Sequence, residues 1–239
     1  TEPGQDTEQF AILIDSRTRF ETGEPGGCWL SMPATKEELH EAMQSVGITA
    51  DNPQEFFIHG YSDREDRHIA LLYDMVCAAQ VDELNFLAAR LGQLDAAEIA
   101  ELNAALQNPK GGFVSIGQII DFTENVDYYV HLPDVHTAAA LGDYYLNRSG
   151  MVDMPEEWKG GIDTAQFGRY VAQQEQGVFT EYGYLVKSGD EWQKVHEGQP
   201  VPEEYRVLSF PVPEVMRDAA NIPPPVQPET EPQKVIPII

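Results

Sequence analysis

Six histidines, two cysteines and forty carboxylates are the groups in this 239-residue chain that could hold a metal, attack a carbonyl or move a proton. The histidines are His40, His59, His68, His131, His136 and His196. Only His131 and His136 stand close, with Asp134 between them. That spacing is half a metal site; it equally suits a strand end and a helix start that face solvent. Cys28 and Cys77 are too far apart for a Cys-x2-Cys pair. There is no His-Glu-x2-His, no phosphate-cradling glycine loop and no Gly-x-Ser-x-Gly elbow. Carboxylates are so numerous that any two could be named an acid and a base, so no pair points to catalysis. The expectation is a non-enzyme with no metal and no cofactor. Tyr128, Tyr129, Tyr144 and Tyr145 could stack on bases, but in so acidic a chain they read as core and interface residues.

The informative chemistry is that of fixed negative charge. Forty Asp and Glu stand against fifteen Lys and Arg, a net charge of −25. Such a field repels nucleic acid, lipid headgroups and anionic substrates, and attracts basic surfaces. Solubility alone asks for a magnitude of roughly 2–8 in a small domain. The excess is spread along the chain: residues 1–65 carry −9, 66–110 carry −4, 111–186 carry −8 and 187–239 carry −4. On a helix, positions three or four apart are about 5–6 Å apart at Cβ, while B-DNA carries one charge per about 1.7 Å of axis. Acids at helical spacing therefore approximate a row of phosphates. The sets are Glu37/Glu41, Asp95/Glu98/Glu101, Asp121/Glu124 and Asp153/Glu156, extended by Asp127, Asp143 and Asp163. Glu38, Asp82, Glu83 and Glu157 complete the candidate surface. A generic solvated face, or a protein of a high-salt environment, fits each single set as well.

The elements that must carry these acids follow from periodicity and punctuation. Residues 10–15 read as a strand, a Gly/Pro turn spans 23–27, and residues 28–32 read as its hairpin partner. Thr35 and Glu38 form a capping box that opens a helix ended by Gly47, with Leu39, Met43 and Val46 on one face. A strand over 55–61 completes a ββαβ unit. Residues 66–108 read as helical: Ile69, Leu72, Tyr73 and Val76 keep helical spacing, then Leu84, Leu87 and Leu91 up to Gly92, then Ile99, Leu102 and Leu106 behind an Asp95/Glu98 cap. Further on come a helix over 115–120, a strand over 126–132 and a helix over 134–148 ended by Gly150. A turn over 155–158, a helix over 164–172 and a strand over 178–186 follow.

The fold class expected is α+β, an elongated chain of three small domains. Residues 9–65 form a ββαβ-type domain, 66–110 a helical one, and 111–208 an α+β domain with an added C-terminal segment. Residues 209–239 read as a proline-rich tail, extended or disordered from about Asn221. Within the added segment, Trp192 and Tyr205 suggest packing onto the third domain. No apolar run approaches the roughly 18 residues of a membrane span. No basic-then-apolar leader opens the chain, which begins at Thr1 without Met, and a cytoplasmic protein with two reduced thiols is the expectation.

Several stretches, in order, resemble those of a known family. Gly27-Cys28-Trp29-Leu30 ends a loop, and an acidic helix leads to Phe57-Ile58-His59-Gly60-Tyr61, similar to the family's Ala-Ile-His-Asp-Tyr. Val81-Asp82-Glu83-Leu84-Asn85-Phe86-Leu87 is similar to its Ile-Gly-Glu-Leu-Asn. Tyr144-Tyr145-Leu146, Ser149-Gly150, Pro155, Ile162-Asp163 and Phe167-Gly168-Arg169 repeat a family pattern over about 25 residues. The resemblance is to the ArdA antirestriction family and covers about residues 9–186. It implies elongated, curved homodimers of three small domains that imitate bent B-form DNA. It also implies binding to the methyltransferase core of type I restriction–modification enzymes, in the cytoplasm of a bacterial host, by proteins encoded on mobile elements. The segment matching the antirestriction motif, near the dimer contact, would include Gly150, Pro155, Trp158, Ile162, Phe167, Gly168 and Arg169. The addition over 187–239 departs from the short family members. The alternative is an acidic module for another basic DNA-binding partner, such as a CRISPR effector or a nucleoid protein; a carboxylate hydrolase or metal enzyme is a third reading.

Overall fold

The computed structural model describes residues 8–24 and 26–212. Strand β1 (Phe10–Ser16) turns Phe10, Ile12 and Ile14 to one side, where each is fully buried. A short helix, α1 (Arg17–Glu21), sits in the loop before β2 (Cys28–Met32), an insertion that periodicity does not announce. Helix α2 (Lys36–Ser45) follows, and its capping box forms as expected: Thr35 Oγ1 accepts from Glu38 N at 3.2 Å and Glu38 Oε2 from Thr35 N at 2.7 Å. Strand β3 (Phe56–Asp63) then pairs antiparallel to the other edge of β1, giving the order β2-β1-β3. Leu39, Ala42 and Met43 of α2 are buried with the Phe10/Ile12/Ile14 face of this sheet.

Residues 69–72 stay non-helical, contrary to expectation. Distant groups take their backbone instead: Tyr61 Oη donates to Ile69 O at 2.8 Å, while Asn103 accepts from Ala70 N at 2.8 Å and donates to His68 O at 2.9 Å. Three helices follow, α3 (Tyr73–Ala78), α4 (Val81–Leu91) and α5 (Ala96–Leu106). Helix α5 starts at the expected cap, with Asp95 Oδ1 accepting from Ala97 N and Glu98 N at 2.8 and 2.9 Å.

Helix α6 (Ile116–Phe122) leads to β4 (Tyr129–Leu132), which begins three residues later than the pattern suggests. The helix expected over 134–148 forms in two pieces. Thr137 caps α7 (Ala138–Asp143), and the chain then widens into a π turn over Tyr144–Arg148. The turn after Pro155 is one turn of helix, α8 (Glu156–Lys159), and α9 (Thr164–Glu175) runs three residues past its expected end. The strand expected over 178–186 is a hairpin, β5 (Val178–Thr180) and β6 (Gly183–Lys187), in a second antiparallel sheet of order β4-β6-β5. Gly183 makes that turn with φ +117, and a Cβ there would lie 2.4 Å from Leu132 O. The fold is thus mixed helix and sheet.

One apolar cluster runs from Phe10 to Val207, with Leu84, Phe86, Leu87 and Leu91 of α4 among its members. A smaller one gathers Val135, Leu141, Ala172 and Tyr184. The C-terminal segment packs more widely than onto the third region. Trp192 lies against Tyr128 and Phe113. Tyr205, in a 3-10 turn over Glu203–Tyr205, stacks on Phe86 at 4.6 Å between centroids. Phe210 meets Phe56, and Ala50 N donates to Pro211 O at 2.8 Å. The segment therefore stays attached to the first sheet's region as far as Pro211. The proline-rich stretch over 213–239 and the polar residues 1–7 lie outside the described residues. Among the described residues, no helix is long and apolar enough to cross a membrane.

Candidate acidic interface

Of the sixteen acids singled out by spacing, ten are exposed: Glu37, Glu38, Glu41, Asp95, Glu124, Asp127, Asp153, Glu156, Glu157 and Asp163. They divide by what else holds them. No ion pair or hydrogen bond engages the carboxylates of Glu37, Glu41, Asp127, Asp153 or Glu157 among the described residues. Glu37 and Glu41 stand one helical turn apart on the open side of α2, where like charges cost a few tenths of a kcal/mol. Glu38, Asp95 and Asp163 also cap helices, the last by accepting from Gln166 N at 2.9 Å. Glu156 pairs with Lys159 at 2.6 Å, and Glu124 with Arg90 at 2.5 Å.

Asp143 is half-buried and shared between Arg148 at 3.4 Å and Asn147 at 2.8 Å. Two other acids turn inward. Asp121 is a correction to the surface expectation: it is fully buried. Its Oδ1 accepts from Val195 N at 3.1 Å and His196 N at 2.6 Å, and its Oδ2 from Glu197 N at 3.2 Å. A buried carboxylate persists only where donors of this kind replace water. Asp82, half-buried, accepts from Val207 N and Leu208 N, both at 2.7 Å. These two acids anchor the C-terminal segment and add little to a displayed row of charge.

The triad Asp95/Glu98/Glu101 is also not a plain row of charges. With Asp127 and His131 it lines a cleft of about 310 Å³ beside α5. Burial, then Asp127 and Glu98, push the Glu101 carboxyl up to about 8. Glu101 Oε1 is shut off from solvent without a hydrogen-bond partner among the described residues. At neutral pH Glu101 therefore holds its proton for most of the time, the usual way a crowded, buried carboxylate sheds its cost. Burial also pushes Glu83 above the usual carboxylate range.

Loops and short helical turns supply exposed acids that helical spacing could not find: Glu21 of α1, Asp74 of α3, Glu203 and Glu204 of the 3-10 turn, and Asp51, Glu65 and Asp134. Their only sequence signal was the overall charge. His131 donates from Nε2 to Tyr182 O at 2.7 Å. No group of three or more His, Cys, Asp or Glu among the described residues is arranged to hold a metal ion.

The 150–169 stretch is split between packing and surface. Gly168 is buried where α9 crosses α7: a Cβ there would fall 1.8 Å from Ala138 O, and one at Gly142 would fall 1.9 Å from Thr164 O. Gly150 turns the chain with φ +71, and Pro155 sits at the start of α8. Ile162 and Phe167 are half-buried, and Arg169 is exposed. Trp158 is 65% exposed, near in sequence to Met151 at 75% and Tyr170 at 60%. So much uncovered apolar surface in one stretch suits a contact with another molecule.

A family model described as antirestriction protein (ArdA) matches residues 12–186, from within β1 to within β6. No curated protein matches the chain. The matched span is well over half of the 239 residues and ends just before the segment that Asp82 and Asp121 anchor. On that match, the chain belongs to the ArdA antirestriction protein family.

Proposed function

We propose that this protein is a non-enzymatic DNA mimic that occupies the DNA-binding site of a type I restriction–modification enzyme and blocks DNA access. The observation that carries the reading is the set of exposed acids, Glu37 and Glu41 on α2, Glu157 on α8 and Asp153 in the loop before α8, with no basic partner among the described residues. Their mutual repulsion gains nothing for a fold, and a basic groove shaped for phosphates would relieve it. Membership of an antirestriction family supplies the kind of target. The 150–169 stretch, with Trp158 and Met151 uncovered, is the contact through which two copies would form an elongated dimer of three-domain protomers in the cytoplasm.

The test is competition. Labelled DNA bound to a type I methyltransferase core is titrated with this protein at two salt concentrations. Stoichiometric displacement that weakens as salt rises is expected, as for DNA itself. The combined change of Glu37, Glu41, Asp153 and Glu157 to Gln or Asn is expected to weaken displacement roughly tenfold. Its unfolding curve should move little, because these side chains are exposed. No displacement by folded protein at either salt would overturn the reading.

A further inference from the structure

A second cleft, also of about 310 Å³, opens between the 108–113 loop, β6 and the C-terminal segment. Four aromatic residues, Phe113, Tyr128, Tyr129 and Trp192, line it, and Leu185 contributes apolar surface. The rings brace one another: Trp192 lies 5.0 Å from Tyr128 at 82° and 5.8 Å from Phe113 at 41°. Phe113, Tyr128 and Trp192 are half-buried, so each packs into the core and still shows part of its ring to the cleft.

The charge of this cleft is opposite to that of the molecule. Lys110 and Lys187 both line it, and neither is in an ion pair among the described residues. Lys110 Nζ donates to Gln176 O and Gly177 O at 3.4 and 3.3 Å, and Lys187 Nζ lies 5.7 Å from the Tyr128 ring centroid. One acid lines the cleft, Glu175, and its two oxygens accept from Tyr145 Oη and Tyr184 Oη. In a chain with 40 acids and 15 bases, two lysines outside any ion pair on one aromatic cleft, against a single carboxylate already held by two tyrosine hydroxyls, leave the cleft locally cationic.

We propose that this cleft binds a planar aromatic anion, a flat ring carrying a phosphate or carboxylate. The volume is at the lower end for small-molecule sites, roughly 300–1,000 Å³, and too small for a helix. Aromatic walls offer stacking to any flat ring. Two ammonium groups hold an anionic substituent and repel a cation. A neutral ring would leave both lysines unused. Mononucleotides and aromatic acids share this chemistry. Trp192 lies outside the span matched to the family, so this wall is supplied by the chain's own C-terminal segment.

The experiment uses the full chain and tryptophan fluorescence, with adenosine monophosphate and indole-3-carboxylate as probes, and adenosine and inorganic phosphate as controls. Saturable quenching by at least one aromatic anion is expected, and the tighter one identifies the source. Adenosine and phosphate alone should bind at least about tenfold more weakly. Lys110→Gln with Lys187→Gln should raise the Kd about tenfold, and Lys110→Gln alone should raise it measurably with an unchanged circular dichroism spectrum. Trp192→Phe should remove the quenching while calorimetry still detects binding, which separates this residue from Trp29 and Trp158. The proposal is overturned if neither anion saturates below about 1 mM, or if both lysine variants bind as the parent does. No restriction enzyme enters this assay, so it stands or falls apart from the antirestriction reading.

Discussion

Glu101 is the carboxylate with the most perturbed environment among the acids of the candidate surface. Its oxygen is enclosed beside Asp127 and Glu98, and its pKa is raised from 4.5 to about 8. Below pH 4.5 the folded and unfolded chains both hold the proton, and the group is neutral to stability. Between 4.5 and about 8 the unfolded chain releases it first, so stability falls as pH rises; above about 8 the full cost is in place. Glu101→Gln removes that cost. The variant should match the parent at pH 4.5 and exceed it by about 1 kcal/mol at pH 8.5, a value discounted for solvent screening of a partly exposed group. Urea unfolding at the two pH values measures it, and an equal difference at both would show that Glu101 ionises like a surface acid. The residue scale thus divides acids that display charge, such as Glu37 and Glu41, from acids that hold structure, such as Asp121. Both kinds read alike in a charge count. Burial and backbone donors, set by residues about 75 positions away, decide which is which.

Helices α7 and α9 cross with their backbones in contact because both carry a glycine at the crossing. Ala at 168 would place its Cβ 1.8 Å from Ala138 O and 2.7 Å from Ala138 C. Backbone atoms cannot swing aside as a side-chain tip can, so the helices must separate. Gly168→Ala should therefore cost about 3 kcal/mol, even after the roughly 1 kcal/mol that Ala gains over Gly in a helix. Gly160→Ala, at the end of α8 with nothing within 4 Å, should stay within about 0.5 kcal/mol of the parent. Denaturant unfolding of the pair checks this; equal effects would mean the crossing yields. Gly168 was legible as part of a family-like pattern, but its crossing partner, Gly142, was not. The locally encoded features were legible: the Thr35/Glu38 and Asp95/Glu98 boxes and the bounds of β2 formed as read. Features set by distant partners were not. Residues 68–70 pattern as helix, yet Asn103 and Tyr61 claim their backbone groups. The β5–β6 turn did carry a local sign, Gly183, inside an otherwise strand-like run.

At the scale of the molecule, the C-terminal segment ties together parts that sequence reading divided. Asp121 and Asn125 hold residues 193–197 beside α6, Asp82 and Asn85 hold residues 205–208 beside α4, and Ala50 holds Pro211 near the first sheet. Asn85 bridges further, accepting from Ala34 N at 2.7 Å while donating to Tyr205 O at 3.0 Å. A chain ended after Lys187 would strip partners from the buried or half-buried side chains of Asp82, Asn85, Asp121 and Asn125, among others, and uncover Phe86. Unmade hydrogen bonds of buried groups cost about 1–3 kcal/mol each, less where water enters. At 2–4 °C per kcal/mol for a chain of this size, a Tm lower by roughly 10 °C is expected by calorimetry. The same chain keeps a net charge of −20 out of −25, so its long-range attraction for a basic groove is largely intact. Any loss in the displacement assay, run well below the lowered Tm, then reports arrangement and not charge. A several-fold loss is expected, because acids held in one geometry bind without first being ordered. Full displacement by the shortened chain, with its Tm reduced, would mean that the segment stabilises the fold without setting the spacing of the charges that the target meets.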